Sequence, residues 1–580
     1  MLRALIFSSI LASVATFFGV SAKTSTVTIR LAHTSDVHGN YYKTNYNDMS
    51  AARGGLARVE SYAKEQRKQF GNRFILLDNG DILQGQPSAY YYNFMDTVST
   101  HVVADIMNYM RYDVGNMGNH DVETGHAVYD RWIRQCNFPI LGANTVVAAT
   151  GKPYLKPYVI LEREGVKIAV IGMITPAIPA WLAENLWSGL RFDDTKSSMT
   201  YWAKYVNETE KPDLTIAILH SGSELTKLGD YIENNSIEIA KTIPGIDIVM
   251  CGHDHRRNCE WYDNVDGHKS LVIDPASGAN VVGEATVTFS LKNGKVVSKD
   301  IQAKLADVTG YEPDAEFCQR FAPKFDVVGE FVQEKVGEIS NTIHSRDAFF
   351  GSAAFVDIIH KIQLDITKAD ISFSAPLAFD SSLKKGAITI ADMFALMKYE
   401  NMLYLMKLTG EEVKNHLEMS YELWTNQMQS ADDHLLLLKP RSSGDYSKGV
   451  SFKNASYNFD SAAGIIYTVD VTKPAGSKVN IISMADGTPF DLNKTYKVAI
   501  NSYRGNGGGE LLTKGAGIPK AELKSRIIWS TDKDLRYYLI QYVKGSNEPI
   551  SAQPLNNWHF VPENWAKPAA ERDYKLLYSK

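Results

Sequence analysis

The chain has 580 residues, of which 44% are hydrophobic and 22% charged, and its formal net charge at pH 7 is -5. These values exclude a disordered or fibrous protein, and the length exceeds one ordinary hydrophobic core, so we expect two domains. The slight acidic excess makes polymeric DNA or RNA a poor candidate for a partner, whereas small anions remain possible beside bound metal ions.

Residues 1–22 have the pattern of a secretory signal peptide. Arg3 gives the positive start, an apolar run follows, and small residues precede a cleavage site after Ala22. Serines and a threonine interrupt the run, which favours cleavage over a membrane anchor, and no later segment is apolar and long enough to span a bilayer. We therefore expect an exported protein, periplasmic or extracellular. The sequence does not indicate an oligomeric state.

Polar residues follow a series of predicted strands in the first half of the chain. The alternating stretch 26–33 leads into Asp36 and His38, which share one face if the backbone stays extended. Strands at 74–77, near 114, at 214–219 and at 246–251 lead into further polar residues, with helices predicted at 55–70 and 102–111. The strand at 166–173 has no obvious ligand at its end. In open α/β sheets ligands bind at the carboxyl edge of the strands, so we expect these side chains to meet.

These side chains form a chemically complete set for two divalent cations. Asp36, His38 and His255 would bind one cation, Asn119, His220 and His253 the other, and Asp81 would bridge the two. Each match is weak alone, and the segment 115–121 taken by itself would also suit a surface turn. Seven ligands at five strand ends favour a two-metal site. Mixed nitrogen and oxygen ligands leave manganese, zinc, iron and magnesium all possible.

The motifs in this half resemble the calcineurin-like metallophosphoesterases, in particular the secreted 5'-nucleotidase family. They are Asp36-Val37-His38, Gly80-Asp81, Gly118-Asn119-His120-Asp121, His220-Ser221-Gly222 and Gly252-His253-Asp254-His255. The resemblance implies the α/β fold class, as a four-layer α/β/β/α sandwich with a two-metal site. His120 would then stabilise the transition state or donate a proton to the leaving oxygen. The family commonly has Asp three residues after this His, where the present chain has Glu123.

The second half predicts a linker and a further domain. A hairpin around Asn293-Gly294 would close a first domain of residues 23–312, and the periodic run 314–335 predicts a helix within a linker of residues 313–344. Residues 345–580 resemble the C-terminal α/β nucleotide-binding domain of the same family. Its predicted helices are 352–369, 390–397 and 410–420, and its predicted strands are 371–377, 403–408, 465–471 and 496–500.

Two stretches of this domain are candidates for binding a nucleobase. Tyr457-Asn458-Phe459-Asp460 is one, and the Gly-rich loop 502–510 is the other. An aromatic side chain from each would stack on a base, and Phe459 with Tyr503 fits the family's positions best, with Tyr457 as the substitute for Phe459. Core packing of Tyr457 and Phe459, and a plain flexible turn for the glycine run, are the alternatives.

Departures from the family pattern bear on the substrate. Two substrate arginines of 5'-nucleotidases have no match, because residues 374–379 and 421–424 stand at their places; Arg504 or the Lys384-Lys385 pair would replace the charge. Other motifs resemble periplasmic 2',3'-cyclic-nucleotide 2'-phosphodiesterases that also act as 3'-nucleotidases. We therefore expect an exported two-metal nucleotide phosphohydrolase of this kind, with a 5'-nucleotidase or UDP-sugar hydrolase as the alternative. A non-catalytic nucleotide-binding protein is the alternative from another class, and the complete ligand set with His120 argues against it.

Overall fold

The computed structural model describes residues 23–442 and 445–578. The predicted signal peptide, residues 1–22, lies outside the described residues. Among the helices within the described ranges, none has the length and apolar character needed to cross a membrane.

Two six-stranded sheets form the centre of the first domain. The strands of the first sheet, in spatial order, are Lys295–Asp307, Val281–Lys292, Thr24–Thr34, Phe74–Asp78, Val114–Asn116 and Ile140–Leu141. Those of the second are Arg257–Asp263, Lys269–Pro275, Ile248–Cys251, Leu214–His220, Val166–Ile174 and Tyr158–Arg163. The inner strands of both sheets are parallel, so their carboxyl ends lie at one edge.

Alternation along each strand places one set of side chains between the sheets and the other under helices. In the first sheet Ile75 and Leu77 contact the second sheet, whereas Leu76 faces the helical layer. The covering helices of the first sheet include Leu56–Phe70, Val102–Tyr109 and His126–Gln135, and those of the second are Thr195–Thr209 and Ser236–Thr242. The predicted α/β class with four layers is confirmed.

The predicted connecting helix is part of the first domain's core. It runs from Ala315 to Gln333, and the ring of its buried Phe325 stacks on Tyr42 with 4.3 Å between ring centroids. The strand Lys335–Ile339 follows and pairs with Gly386–Thr389 of the second domain. Pairing with the second domain thus begins before residue 345, and we propose a boundary at Glu334.

The second domain is built on a five-stranded mixed sheet. Its strands, in spatial order, are Ser461–Ala463, Ile371–Ser374, Thr495–Asn501, Met402–Thr409 and Ile527–Asp534. Its helices include Ala354–Thr367, Ile390–Leu396, Gly410–Trp424 and Leu535–Lys544. The strand predicted at 371–377 ends at Ser374, because Pro376 cannot donate a ladder hydrogen bond.

A smaller three-stranded sheet brings the end of the chain onto this domain. It consists of Val479–Met484, Ile465–Asp470 and Trp558–Val561, and the helix Glu563–Tyr578 follows. Trp558 and Phe560 are buried in the same core as Trp424. The aromatic tail therefore packs against the domain, as its composition suggests.

Replacing Phe325 by Ala tests whether the connecting helix stabilises the first domain. We expect the free energy of unfolding to fall by about 3–5 kcal/mol, because a fully buried ring is lost. Val327 lies on the same helix with 41% of its surface exposed, so Val327→Ala should change it by less than about 0.5 kcal/mol. Urea denaturation of the full chain measures both, and equal effects of the two substitutions would contradict the assignment.

Candidate metal centre

The structure brings the seven predicted metal ligands together at the carboxyl edge of the two sheets. Asp36, His38 and His255 form one group and Asp81, His220 and His253 a second; within each, the potential ligand atoms lie within 4.8 Å of one another. Asn119 joins the second group, since its Oδ1 lies 2.8 Å from Nδ1 of His253 and 3.1 Å from Nε2 of His220.

Asp81 lies between the two groups. Its Oδ2 is 3.1 Å from Nε2 of His220 and 3.9 Å from Nε2 of His38. Asp81 is almost completely buried, and burial raises the pKa of its carboxyl while the positive charge of His220 holds it well below its usual range. This is the position that a carboxylate bridging two cations would occupy.

Most of these ligands adopt a backbone conformation that side chains other than glycine rarely take. The positive φ angles are 51° at Asp36, 48° at His38, 56° at Asp81, 76° at His253 and 56° at His255. Such strain persists only where the surrounding structure enforces it, and it is concentrated at functional sites. The ligand loops are therefore fixed by their packing and are not relaxed surface turns.

The glycines of the motifs allow these loops to approach closely. A Cβ added at Gly118 would lie 2.2 Å from Oδ1 of Asp81, and one at Gly252 would lie 2.0 Å from Oγ of Ser35. Both distances are far inside van der Waals contact. Neither position can carry a larger residue without displacing a ligand loop.

Asp121, the last residue of the Gly-Asn-His-Asp motif, ties two of the loops together. Its carboxylate accepts hydrogen bonds from the N–H groups of Asp81, Ile82, Leu83 and Gly118, at 2.8 to 2.9 Å. Burial and the negative charge of Asp81 raise the pKa of Asp121 to about 6, although these hydrogen bonds favour the charged form. Sequence reasoning placed Asp121 in the motif but did not give it this role.

The histidines of the second group are oriented by partners on their other nitrogens. Nδ1 of His220 lies 2.8 Å from the carbonyl oxygen of Asn79, which leaves its Nε2 facing the cluster. Nε2 of His253 lies 3.2 Å from Oε1 of Glu233, which leaves its Nδ1 facing Asn119. Such outer partners fix the ring and the tautomer of a metal-binding histidine. Glu233, in the strand Tyr231–Asn234, was missed because it belongs to no ligand motif.

The donor set fits two divalent cations. In the first group Nε2 of His38 and Nε2 of His255 are 3.0 Å apart, and Nε2 of His255 is 3.3 Å from Oδ1 of Asp36. Imidazole nitrogens and carboxylate oxygens that converge in this way suit a shared borderline cation. The ligands do not select one metal.

His120 belongs to neither ligand group and forms a pair with Glu123. It lies in the short helix Asn119–Glu123, and its Nδ1 is 2.5 Å from Oε2 of Glu123. Burial lowers the pKa of His120, but the charges of Glu123 and Asp81 outweigh it and raise the pKa to about 9. The longer side chain of Glu123 therefore reaches His120, and this pKa favours the positively charged ring at neutral pH.

Tyr457 and Tyr503 of the second domain are in edge-to-face contact with each other. Their ring centroids are 6.1 Å apart and the rings are nearly perpendicular, at 89°. Burial raises the pKa of both hydroxyls, and the negative charge of Glu233 raises both further. Both tyrosines thus lie within electrostatic reach of Glu233, which contacts His253.

Phe459, by contrast, lies in the core of the second domain. It is fully buried, and its ring is stacked on Trp424 at a centroid distance of 5.4 Å. A one-turn 3-10 helix, Ser456–Asn458, turns Phe459 inward and leaves Tyr457 with 41% of its surface exposed. Phe459 is therefore not accessible for stacking on a base, contrary to the prediction, and Tyr457 remains the candidate in this stretch.

Arg504 is also buried, and its guanidinium is occupied by protein groups. It donates two hydrogen bonds to the carboxylate of Asp460, at 2.9 and 3.2 Å, and others to the carbonyl oxygens of Tyr457 and Gly508. The predicted contact of Arg504 with substrate does not fit this geometry. Its role is to hold together the two loops that carry Tyr457 and Tyr503.

Hydrogen bonds join the two domains near the metal centre. Nε2 of Gln84 donates to Oε2 of Glu400 at 3.0 Å, and Arg536 binds the other oxygen of Glu400 at 3.1 Å. Glu400 and Glu123 line the same narrow crevice. A further contact joins Nζ of Lys520 to the carbonyl oxygen of Ala180, which accepts at 3.0 Å. None of these contacts follows from a local motif.

Replacing Glu233 by Ala tests its role in orienting His253. We expect the affinity of the second ligand group for Mn²⁺ or Zn²⁺ to fall by about 10- to 100-fold, because the ring of His253 loses its partner. Asp230→Ala, at the exposed turn of the same hairpin, should leave the affinity unchanged. Competition with a chromophoric chelator measures both variants, and an unaltered affinity in Glu233→Ala would refute the assignment.

Comparison with known families supports this geometry. Residues 29–257 match the family described as calcineurin-like phosphoesterase, and residues 333–514 match the 5'-nucleotidase C-terminal domain. The solved structure of a putative 5'-nucleotidase from Staphylococcus aureus has a TM-score of 0.75 at 21% identity, with 92% of this chain and 100% of that chain covered. At this identity the likeness supports the fold.

Two curated proteins are similar over nearly the whole chain. The 2',3'-cyclic-nucleotide 2'-phosphodiesterase/3'-nucleotidase of Haemophilus influenzae is 28% identical over 626 residues, which cover 96% of this chain and 91% of that protein. The protein of the same name from Yersinia enterocolitica is 27% identical over 625 residues, covering 97% and 92%. The resemblance drawn from the motifs is confirmed: this chain joins a calcineurin-like phosphoesterase domain to a 5'-nucleotidase C-terminal domain.

Proposed function

We propose that this protein is a metal-dependent phosphohydrolase that acts on 2',3'-cyclic nucleotides and 3'-nucleotides. The observation that carries the proposal is the position of Glu233, which contacts the predicted ligand His253 and whose charge raises the pKa of Tyr457 and of Tyr503 in the second domain. Two groups of potential metal ligands, His120 and two aromatic side chains are thus linked through the surroundings of Glu233 and His253. The names of the two curated relatives support the substrate class.

The chemistry divides between the cations and the protein. Two divalent cations in the two ligand groups would polarise the phosphoryl group and activate a water for in-line attack. Nδ1 of His120 is engaged by Glu123, so the ring has a further proton at Nε2, available to the leaving oxygen, only when it is positively charged. Burial lowers the pKa of His120, but the charges of Glu123 and Asp81 raise it to about 9, which favours this charged form at neutral pH; the proton is lost as the pH rises through that value.

The second domain would bind the nucleoside. Stacking of a base on an aromatic ring contributes about 1–3 kcal/mol and does not depend on which base is bound. Tyr457 and Tyr503 supply the rings, and Arg504 fixes the two loops relative to one another. Glu233 is a hydrogen-bond acceptor at the border between this pocket and the metal centre, where hydroxyl groups of a ribose would lie.

The residues at the positions of the missing arginines favour the cyclic and 3'-nucleotides over 5'-nucleotides. Tyr421 and Trp424 are fully buried in the core of the second domain, and the strand Ile371–Ser374 is followed by apolar residues. The match of residues 333–514 to the 5'-nucleotidase C-terminal domain keeps 5'-nucleotides as the second candidate. We also propose export, on the pattern of residues 1–22, and two metal ions among manganese, zinc, iron and magnesium.

A substrate panel tests the proposal. Residues 23–580 loaded with manganese should release phosphate or nucleoside from 2',3'-cyclic AMP and 3'-AMP with a higher kcat/KM than from 5'-AMP or UDP-glucose. The control is the same protein stripped of metal by a chelator. A preference for 5'-AMP would favour the second candidate, and bound metal without turnover of any of the four would refute the nucleotide hypothesis.

A double-substitution cycle tests the pair of His120 and Glu123. We expect His120→Ala to lower kcat by about 10²- to 10⁴-fold, because the general acid is removed. Glu123→Gln should lower kcat less, because His120 is retained and loses only the carboxylate that orients its ring. If Glu123 acts through His120, the double variant should be no slower than His120→Ala alone. Metal content and unfolding midpoint, measured for each variant, must match the parent. Multiplicative losses would show that Glu123 acts independently.

A further inference from the structure

A cavity of about 490 Å³ is lined by residues that neighbour the first ligand group in the chain. Its wall comes from the segment 50–54, from Arg257 and from the loop 275–280, with Thr309 at the margin. The volume is that of a small-molecule site, and the lining is mainly polar. Nothing in the proposed hydrolysis uses it.

The cavity adjoins each residue of the first ligand group. Asn40, in its wall, comes two residues after His38, and Arg257 comes two residues after His255. The N–H of Gly278, also in its wall, donates to the carbonyl oxygen of Asp36 at 2.8 Å. A molecule in the cavity would therefore lie next to the loops that carry the first ligand group.

Two arginines supply positive charge to this cavity. Arg53 and Arg257 both line it and are exposed, and within the described residues neither guanidinium has a hydrogen bond or an ion pair. Asp307 precedes the lining residue Thr309 by two positions, and its Oδ1 is engaged by the N–H and the hydroxyl of Thr309. These hydrogen bonds lower the pKa of Asp307, and the charges of Arg257 and Arg53 lower it further, so its charge acts on both arginines.

The opposite wall is a strained loop held in a fixed shape. Ala276 and Ala279 have φ of 61° and 49°, in the left-handed region. The carbonyl of Ala279 accepts a hydrogen bond from the N–H of Gly55, and the carbonyl of Asn280 accepts one from Val308, both at 3.0 Å. Strained backbone that is maintained by packing is concentrated at functional sites.

We propose that this cavity is a phosphate-binding subsite beside the metal centre, in which Arg53 and Arg257 clamp the anion. Paired guanidinium groups match the oxygens of phosphate by parallel charge-assisted hydrogen bonds. The ligand is inorganic phosphate or a second phosphate group of a bound nucleotide. The subsite does not depend on which nucleotide is hydrolysed, and its occupancy is measured without turnover.

Calorimetric titration of inorganic phosphate into the manganese-loaded protein tests the subsite. We expect two bound phosphates, one at the metal centre and one in the cavity. The variant Arg53→Gln/Arg257→Gln should retain the first and lose the second, or bind it at least about tenfold more weakly. Arg256→Gln is the matched control, because Arg256 is the exposed neighbour of Arg257, carries the same charge and does not line the cavity.

Asp307→Asn gives a result of opposite sign. It removes a negative charge near both arginines while an oxygen remains for Thr309, so phosphate should bind the cavity more tightly. Kinetics with 3'-AMP and with adenosine 3',5'-bisphosphate distinguish the two ligands. If the bisphosphate has the lower KM, and this difference disappears in the double arginine variant, the subsite binds a second nucleotide phosphate. If the two KM values are equal, the subsite binds free phosphate. Equal stoichiometry and affinity for phosphate in the double variant and in Arg256→Gln would overturn the proposal.

Discussion

The buried carboxylate of Asp121 is the interaction on which the rest of this site depends. Four N–H groups from two loops converge on it, and these loops carry Asp81, Asn119 and His120. A carboxylate removed from water is stable only when its hydrogen bonds are made, so the loops have one arrangement that satisfies it. The left-handed backbone at Asp36, Asp81 and His253 is maintained in the same way, by contacts that leave no relaxed alternative.

Local sequence patterns contained most of the fold of the first domain and the identity of its metal ligands. Apolar alternation located the strands, and the polar residues just after them had to share an edge because the strands are parallel. The ligand cluster follows from those two facts, whereas the four-layer sandwich was implied by the resemblance to the metallophosphoesterases. The spacing of apolar residues also predicted the connecting helix. It did not predict that the helix packs in the first core, because this depends on the contact between the rings of Tyr42 and Phe325.

The parts that sequence reasoning missed arise from contacts between distant segments. A single 3-10 turn sets the direction of the Phe459 side chain. The spacing of apolar residues along the sequence does not predict the effect of such a turn. Arg504 looked available for substrate because two of its partners, Asp460 and the carbonyl oxygen of Tyr457, come from a loop distant in sequence. Glu233 and Glu400 acquire their positions only when the hairpin and the second domain are in place. Such residues have no signature of their own in a single sequence.

The short connection between the domains has a mechanical consequence. The helix anchored in the first core ends at Gln333 and the strand paired in the second begins at Lys335, so Glu334 is the whole tether. A connection of one residue has almost no slack, and together with the contacts of Gln84 and Lys520 between the domains it fixes the separation of the tyrosines from the metal centre. The two halves of the site act on a shared substrate at an effective concentration fixed by the fold, which does not change when the protein is diluted.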